Sequence, residues 1–250
     1  MSLTYSSYAS ISTHNAGDGP KEPVRNAIPV TRVRWHPCWR VIPTRLPRVN
    51  VFARIAPAQH FKQLDAIEAL TNERARLQKS AKGAAASVRG AVNAEIILAP
   101  FAYPNPAGSR FSDGSYGVLY CARTIRTAIA ETRYHRELFL RATREPEMFL
   151  PMSAYRLDAQ GSFHDIRGLQ RRLPEVYSAS SYAHSQPFAK ALHAADAAGI
   201  AYDSVRLAGG QCIAGFSPAP FSNSRRSQDL LYLWNGRRIS DVLFLSSSPK

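Results

Sequence analysis

Between Gly108 and Glu131 a loop, a short strand and the start of a helix follow one another almost without spare residues, and this stretch, GSRFSDGSYGVLYCARTIRTAIAE, constrains the fold more than any other. The loop is rich in Gly, Ser and Asp and carries one arginine, Arg110. Val118 to Ala122 is apolar, too short for a helix and preceded by glycine, the pattern of a buried strand. From Thr124 the spacing becomes helical, with Ile125, Ala128, Ile129 and Ala130 apolar and Glu131 set among them. An arginine on a loop, Tyr120 on a strand and a carboxylate one or two turns into a helix can therefore be gathered at one site.

The flanking sequence supports a mixed architecture. Residues 1–30 have little periodicity and are expected to form a flexible or irregular arm. Arg32, Arg34, Arg40, Arg45, Arg48 and Arg54 then alternate loosely with Trp35 and Trp39. The favoured reading packs the tryptophans and Pro43 on the domain and turns the arginines to water; stacking on nucleic-acid bases is the competing one. Val49 to Ile55 reads as the first strand of the domain, and Ala58 to Gln78 as a helix broken near Thr71-Asn72. A helix-turn-helix is disfavoured, because no exposed basic recognition helix follows. Residues 80–93 form a small-residue linker, and Glu95 to Tyr103 is either a strand or a short helix. The helix carrying Glu131 is expected to run to about Ala142.

Met148 to Leu157 and Ser162 to Ile166 read as separate strands, and Tyr182 to Ala198 as a helix stopped by Gly199. Ile200 to Val205, Gln211 to Phe216, Leu230 to Trp234 and Val242 to Leu245 complete a set of short strands, with Asn235-Gly236 as a hairpin turn. Strands and helices do not alternate regularly. The expected class is α+β, with curved, mixed but mostly antiparallel sheets flanked by helices.

Thirty-two lysines and arginines against 18 acidic residues leave a formal charge of +14, which favours an anionic partner: nucleic acid, a membrane surface, a phosphorylated small molecule or an acidic protein. Cys38, Cys121 and Cys212 are far apart and form no CxxC, so no metal site is expected and the thiols are read as reduced. With no apolar run of about 18 residues and no secretory pattern, the chain is expected to be cytoplasmic and not membrane-bound. The phosphate loop GxxxxGK[ST], the dinucleotide fingerprint GxGxxG and the nucleophile elbow GxSxG are all missing, which removes the main support for the corresponding enzyme classes.

A second segment, Tyr202-Asp203-Ser204-Val205-Arg206 followed by Gly209-Gly210, sets a hydroxyl and an arginine at a strand end before a glycine turn. Taken with GSRFSDGSYGVLYCA and TAIAE, its order and spacing resemble the RES domain, a family named for an arginine, a glutamate and a serine that match Arg110, Glu131 and Ser204. Phe-Ala-Arg-Ile, with Arg54, resembles the family's opening aromatic-Arg-Ile strand, although Ala53 takes the aromatic position; the Trp39-Arg40 region matches it more loosely. Phe111 stands where a tryptophan is common. The resemblance assigns residues 31–250 to the domain, with its core motifs in 49–245.

The resemblance implies an ADP-ribosyltransferase-like fold. It also implies the toxin of a type II toxin–antitoxin pair, which cleaves the nicotinamide–ribose bond of NAD+ by hydrolysis or phosphorolysis. NAD+ is then a substrate, no cofactor is needed, and phosphate is an optional co-substrate. Arg110, Glu131 and Tyr120 would be catalytic; Arg54, Ser204, Phe111 and Arg206 would bind substrate. A cognate antitoxin would block the pocket and mediate any oligomerisation. The alternatives are a mono-ADP-ribosyltransferase acting on a protein and a basic nucleic-acid-binding module.

Overall fold

The computed structural model describes residues 28–44, 88 and 92–245. The expected strand at Val49 to Ile55, the broken helix at Ala58 to Gln78, Arg54 and nearly all of the N-terminal arm lie outside the described residues. Seven strands form one sheet: β1 (Val30–Pro43), β2 (Leu119–Ala122), β3 (Met148–Asp165), β4 (Gly199–Asp203), β5 (Gln211–Gly215), β6 (Phe221–Trp234) and β7 (Ile239–Leu245). Three helices accompany them: α1 (Ala94–Ala102), α2 (Ile125–Ala142) and α3 (Ser185–Ala194). The class is α+β, and every strand pair is antiparallel except β3 with β4.

The strand order is β1-β2-β5-β4-β3-β6-β7, and β1 also pairs with β3. Following neighbours from β1 through β2, β5, β4 and β3 therefore leads back to β1, and the sheet closes on itself. Alternation of side chains divides its interior into two cores. Ala122, Ile200, Tyr202, Cys212 and Ala214 face a core shared with Ala128 and Leu140 of α2 and with Phe188, Ala189 and Leu192 of α3. Leu119, Cys121, Ala201 and Ile213, their immediate neighbours, face a second core shared with Ile96, Ile97 and Leu98 of α1.

Register shifts in β3 between Ala154 and Tyr155, and between Arg156 and Asp158, turn that strand over. Met152 and Ala154 thus enter the first core, and Leu157, Ala159 and Phe163 the second. In β1 the irregularity lies between Trp35 and Cys38, where the His36–Pro37 bond is cis. Trp35 is buried while Arg32 and Arg34 are exposed, as expected, but Pro43 is exposed and Arg40 turns inward.

Local chemistry fixes α2 at both ends. Thr124 has extended backbone, and its Oγ1 accepts the Thr127 N–H at 3.2 Å, an N-cap. At the other end Arg144 adopts φ 55°, Arg144 N–H donates to Arg141 O and Glu145 N–H to Leu140 O, a Schellman closure made without glycine.

Several boundaries differ from the sequence expectation. The two strands expected between Met148 and Ile166 are one 18-residue strand, which β1 pairs through Gly161 along one edge while β6 pairs as far as Ala159 along the other. The segment at Glu95 is a helix. The helix expected from Tyr182 to Ala198 is only Ser185–Ala194, and Asp196, at φ 54°, ends it before Gly199 is reached. Gly199 (φ 149°) instead opens β4, where a Cβ would collide with the Ala214 carbonyl of β5.

Candidate active site

Between α2, β1, β2 and the loop before β2 lies a cavity of about 520 Å³, in the range of small-molecule sites. Arg110, Tyr120 and Glu131 all line it, so the loop, strand and helix of the Gly108–Glu131 stretch do converge.

The Arg110 loop is locked rather than draped. Ser109 and Ser112 form a β-bridge, Gln186 Nε2 of α3 donates to both of their carbonyls, and Ser185 Oγ donates to the Arg110 carbonyl at 2.6 Å. The Arg110 side chain is 6% exposed. Its Nη1 donates to Val176 O at 3.1 Å, its guanidinium lies 5.0 Å from the Tyr182 ring centre, and its buried Nη2 has no partner among the described residues. A buried guanidinium N–H without an acceptor is costly, and an anion or hydroxyl in the cavity removes that cost.

Tyr120 holds the loop from below. Its hydroxyl accepts the Phe111 N–H at 2.9 Å and shares a hydrogen bond of 2.8 Å with Ser109 Oγ. Burial pushes the phenol up to about 12, against the opposing hydrogen bonds of Ser109 and Phe111, so it stays neutral. Two hydroxyl protons and one link between the oxygens leave one O–H free at the cavity wall. Tyr120 is thus fixed by its hydroxyl, a different task from the ring stacking that an aromatic at this place first suggests.

Glu131 is half-buried on α2. Ser204 Oγ donates to its Oε1 at 2.6 Å, and its Oε2 has no hydrogen-bond partner among the described residues. Burial raises its pKa above the ordinary value; the Ser204 bond and the charges of Arg110 and Arg206 work in the opposite direction. The Ser204 hydroxyl in turn accepts the N–H groups of Arg206 and Leu207 at 3.1 and 3.0 Å. Ser204 is absent from the cavity wall, and its one proton is spent on the carboxylate, so it holds Glu131.

Arg206 also lies off the wall. Its guanidinium sits 3.2 Å from the centre of the Tyr134 ring and its Nη2 donates to Ala179 O at 2.6 Å, and its charge reaches Glu131 from the side. Phe111 is 1% exposed, packed edge-on against Tyr202 with ring centres 4.9 Å apart, and acts as core.

Three wall residues lie outside the set drawn from the sequence. Arg40 Nη1 donates to the Tyr120 carbonyl at 2.9 Å, and its buried Nε has no partner among the described residues. Burial lowers its pKa to about 10, partly offset by Cys121. Trp39-Arg40-Val41 repeats the aromatic-arginine-aliphatic pattern with the aromatic present, a signal that favours it over Ala53-Arg54-Ile55. His135 is exposed toward the cavity, yet crowding by the protein, followed by the charges of Arg206, Arg110 and Arg136, lowers its pKa to about 4 and keeps it neutral. Arg136, next to it, also faces the cavity. Among the described residues no group of three His, Cys, Asp or Glu could hold a metal ion.

Fold and site together define an α+β protein whose closing sheet and second helix enclose a cationic cleft around one half-buried carboxylate. Residues 87–235 match the RES domain family model, more than half of the chain, and the chain belongs to that family. Strand β1 and Arg40 precede the matched span but pair directly with it. An uncharacterized protein of Sinorhizobium fredii, y4oC, is 30% identical over 205 residues, covering 81% of this chain and 84% of that protein. The solved MbcT–MbcA toxin–antitoxin complex of M. tuberculosis contains a chain alike at TM-score 0.42 and 8% identity, over 83% of this chain and 87% of that one.

Proposed function

We propose that the cleft binds NAD+ and breaks its nicotinamide–ribose bond, and that the protein is the toxin of a type II toxin–antitoxin pair whose antitoxin occludes this cleft. The observation that carries the reading is Glu131: one oxygen is held by Ser204, and the other has no partner among the described residues, in a cavity walled by arginines. A carboxylate so placed accepts a hydrogen bond from a ribose hydroxyl and opposes the positive charge that grows on the sugar as the bond breaks. The electron pair of the C1′–N bond passes to the pyridinium nitrogen, and nicotinamide departs neutral, so no strong general acid is required. An acceptor oxygen from water or phosphate bonds to C1′ and its proton passes to the carboxylate or to solvent.

Arg110, through the Nη2 that has no partner among the described residues, would hold a phosphate oxygen of the same molecule, a contact for which the guanidinium fork is suited. Arg40, fixed on the Tyr120 carbonyl, would add charge from the opposite wall. The test is product analysis. Purified protein is expected to release nicotinamide from NAD+, and Glu131→Gln to lose at least about a hundredfold in kcat, of the order found when one electrostatic stabiliser is removed. Retention of full activity by Glu131→Gln refutes the assignment. Label from NAD+ appearing on a protein, in place of free ADP-ribose or its phosphate ester, would identify a transferase instead.

A further inference from the structure

Beyond Glu131 along α2 the cleft presents two residues that bond cleavage does not use. Arg136 lines the cavity, yet none of its nitrogens has a hydrogen-bond or ion-pair partner among the described residues. The neighbouring arginines of the helix differ: Arg133 and Arg141 both pair with Glu137. Burial lowers the pKa of Arg136, with the nearby Tyr232 hydroxyl acting the other way, as expected of a cation short of a counter-charge. One turn further, Phe139 is in the same wall, which also holds Ile42 and Pro43 of β1, and is 55% exposed. A large aromatic left open inside a cavity is a ready platform for a flat ring.

The helix sets the spacing. Arg136 and Phe139 lie five and eight residues after Glu131, about 7.5 Å and 12 Å along the axis. A carboxylate, then a cation without a partner among the described residues, then an exposed aromatic follow one another in the order in which the reacting ribose, the far phosphate and the second base occur along an extended dinucleotide.

We propose that the C-terminal half of α2 forms a subsite for a purine nucleoside monophosphate, with Arg136 on its phosphate and Phe139 against its base. The subsite rests on the NAD+ reading given above and assigns the adenylate half of that substrate to this end of the cleft. It is specific to a guanidinium and an aromatic, three residues apart, on the side of the helix that faces β1.

Calorimetric titration of the full chain with ADP and with nicotinamide mononucleotide tests the proposal, using Arg136→Gln, Arg136→Lys and Phe139→Ala with thermal melts as a folding control. ADP affinity is expected to fall about tenfold or more in Arg136→Gln and in Phe139→Ala, and less in Arg136→Lys, while the mononucleotide, which lacks the adenylate half, binds all four proteins alike. In turnover the same variants should raise KM for NAD+ more than they lower kcat. Wild-type protein that does not bind ADP, variants that bind it as tightly as wild type, or equal losses for both ligands would each overturn the subsite. ADP binding that depends on Arg136, in a protein that releases no nicotinamide, would instead overturn the cleavage reading and leave the subsite standing.

Discussion

Replacing Ser204 by alanine tests the architecture of the site most directly. Ser204 touches no part of the cavity, yet its hydroxyl gives Glu131 a 2.6 Å hydrogen bond and accepts two backbone N–H groups. A hydrogen bond to a charged group contributes about 1.5–3 kcal/mol. If Glu131 must be ionised and correctly turned in the transition state, losing that bond lowers kcat/KM by about 10- to 150-fold. The bond favours the carboxylate form, so its loss raises the Glu131 pKa further, and the acid limb of the pH–rate profile moves to higher pH.

Stability falls as well. The Arg206 and Leu207 amides lose their acceptor, at a cost of about 1–3 kcal/mol in total for half-buried groups, or a Tm lower by roughly 2–10 °C. Ser204→Thr keeps the hydroxyl and should recover most of the activity and the original limb. Nicotinamide release measured from pH 4.5 to 8 is the assay. A Ser204→Ala protein within twofold of wild type, with an unmoved acid limb, would refute the positioning role.

Tyr120→Phe strands the Phe111 amide and frees Ser109, at a cost of about 1–3 kcal/mol; the Arg110 loop should show faster hydrogen exchange and KM for NAD+ should rise, and unchanged exchange at Phe111 would count against it. Gly199→Ala forces a Cβ onto the Ala214 carbonyl in a backbone conformation that alanine avoids, so the Tm should drop by several degrees or the protein fail to fold, whereas a neutral effect on the melt would show that β4 and β5 can separate.

What could be read in the sequence was what local chemistry decides. The Thr124 cap, the alanine-rich start of α2, the short apolar β2 and the Asn235-Gly236 turn each announce themselves within a few residues. The sequence divides strand β3 because Ala159-Gln160-Gly161 has no strand propensity of its own; β1 pairs with all three residues and β6 with Ala159, and this pairing keeps the segment extended. The polar start of β6, Ser222 to Gln228, is likewise held as strand by pairing with Asp158, Arg156, Tyr155 and Ala154 of β3. Arg40 escaped the site set for the same reason: its partner is 80 residues away, on the carbonyl of Tyr120. Arg110, Glu131 and Ser204 were legible because their motifs are local, but the division of labour among them was not. That depends on which hydroxyl meets which oxygen.

The return of the sheet to its first strand has a consequence for how such a protein is made. Strand β1, the first of the described strands to leave the ribosome, finds its β3 partner more than a hundred residues later, and the ring is joined only when β4 and β5 arrive. Contacts of such long sequence separation form late and slowly. A nascent chain that has not yet reached Gln211 lacks β5 and, with it, the strand paired to Tyr120, so the cleft wall is incomplete however well its helices have formed. The topology itself therefore delays assembly of the cleft until β5 has been made.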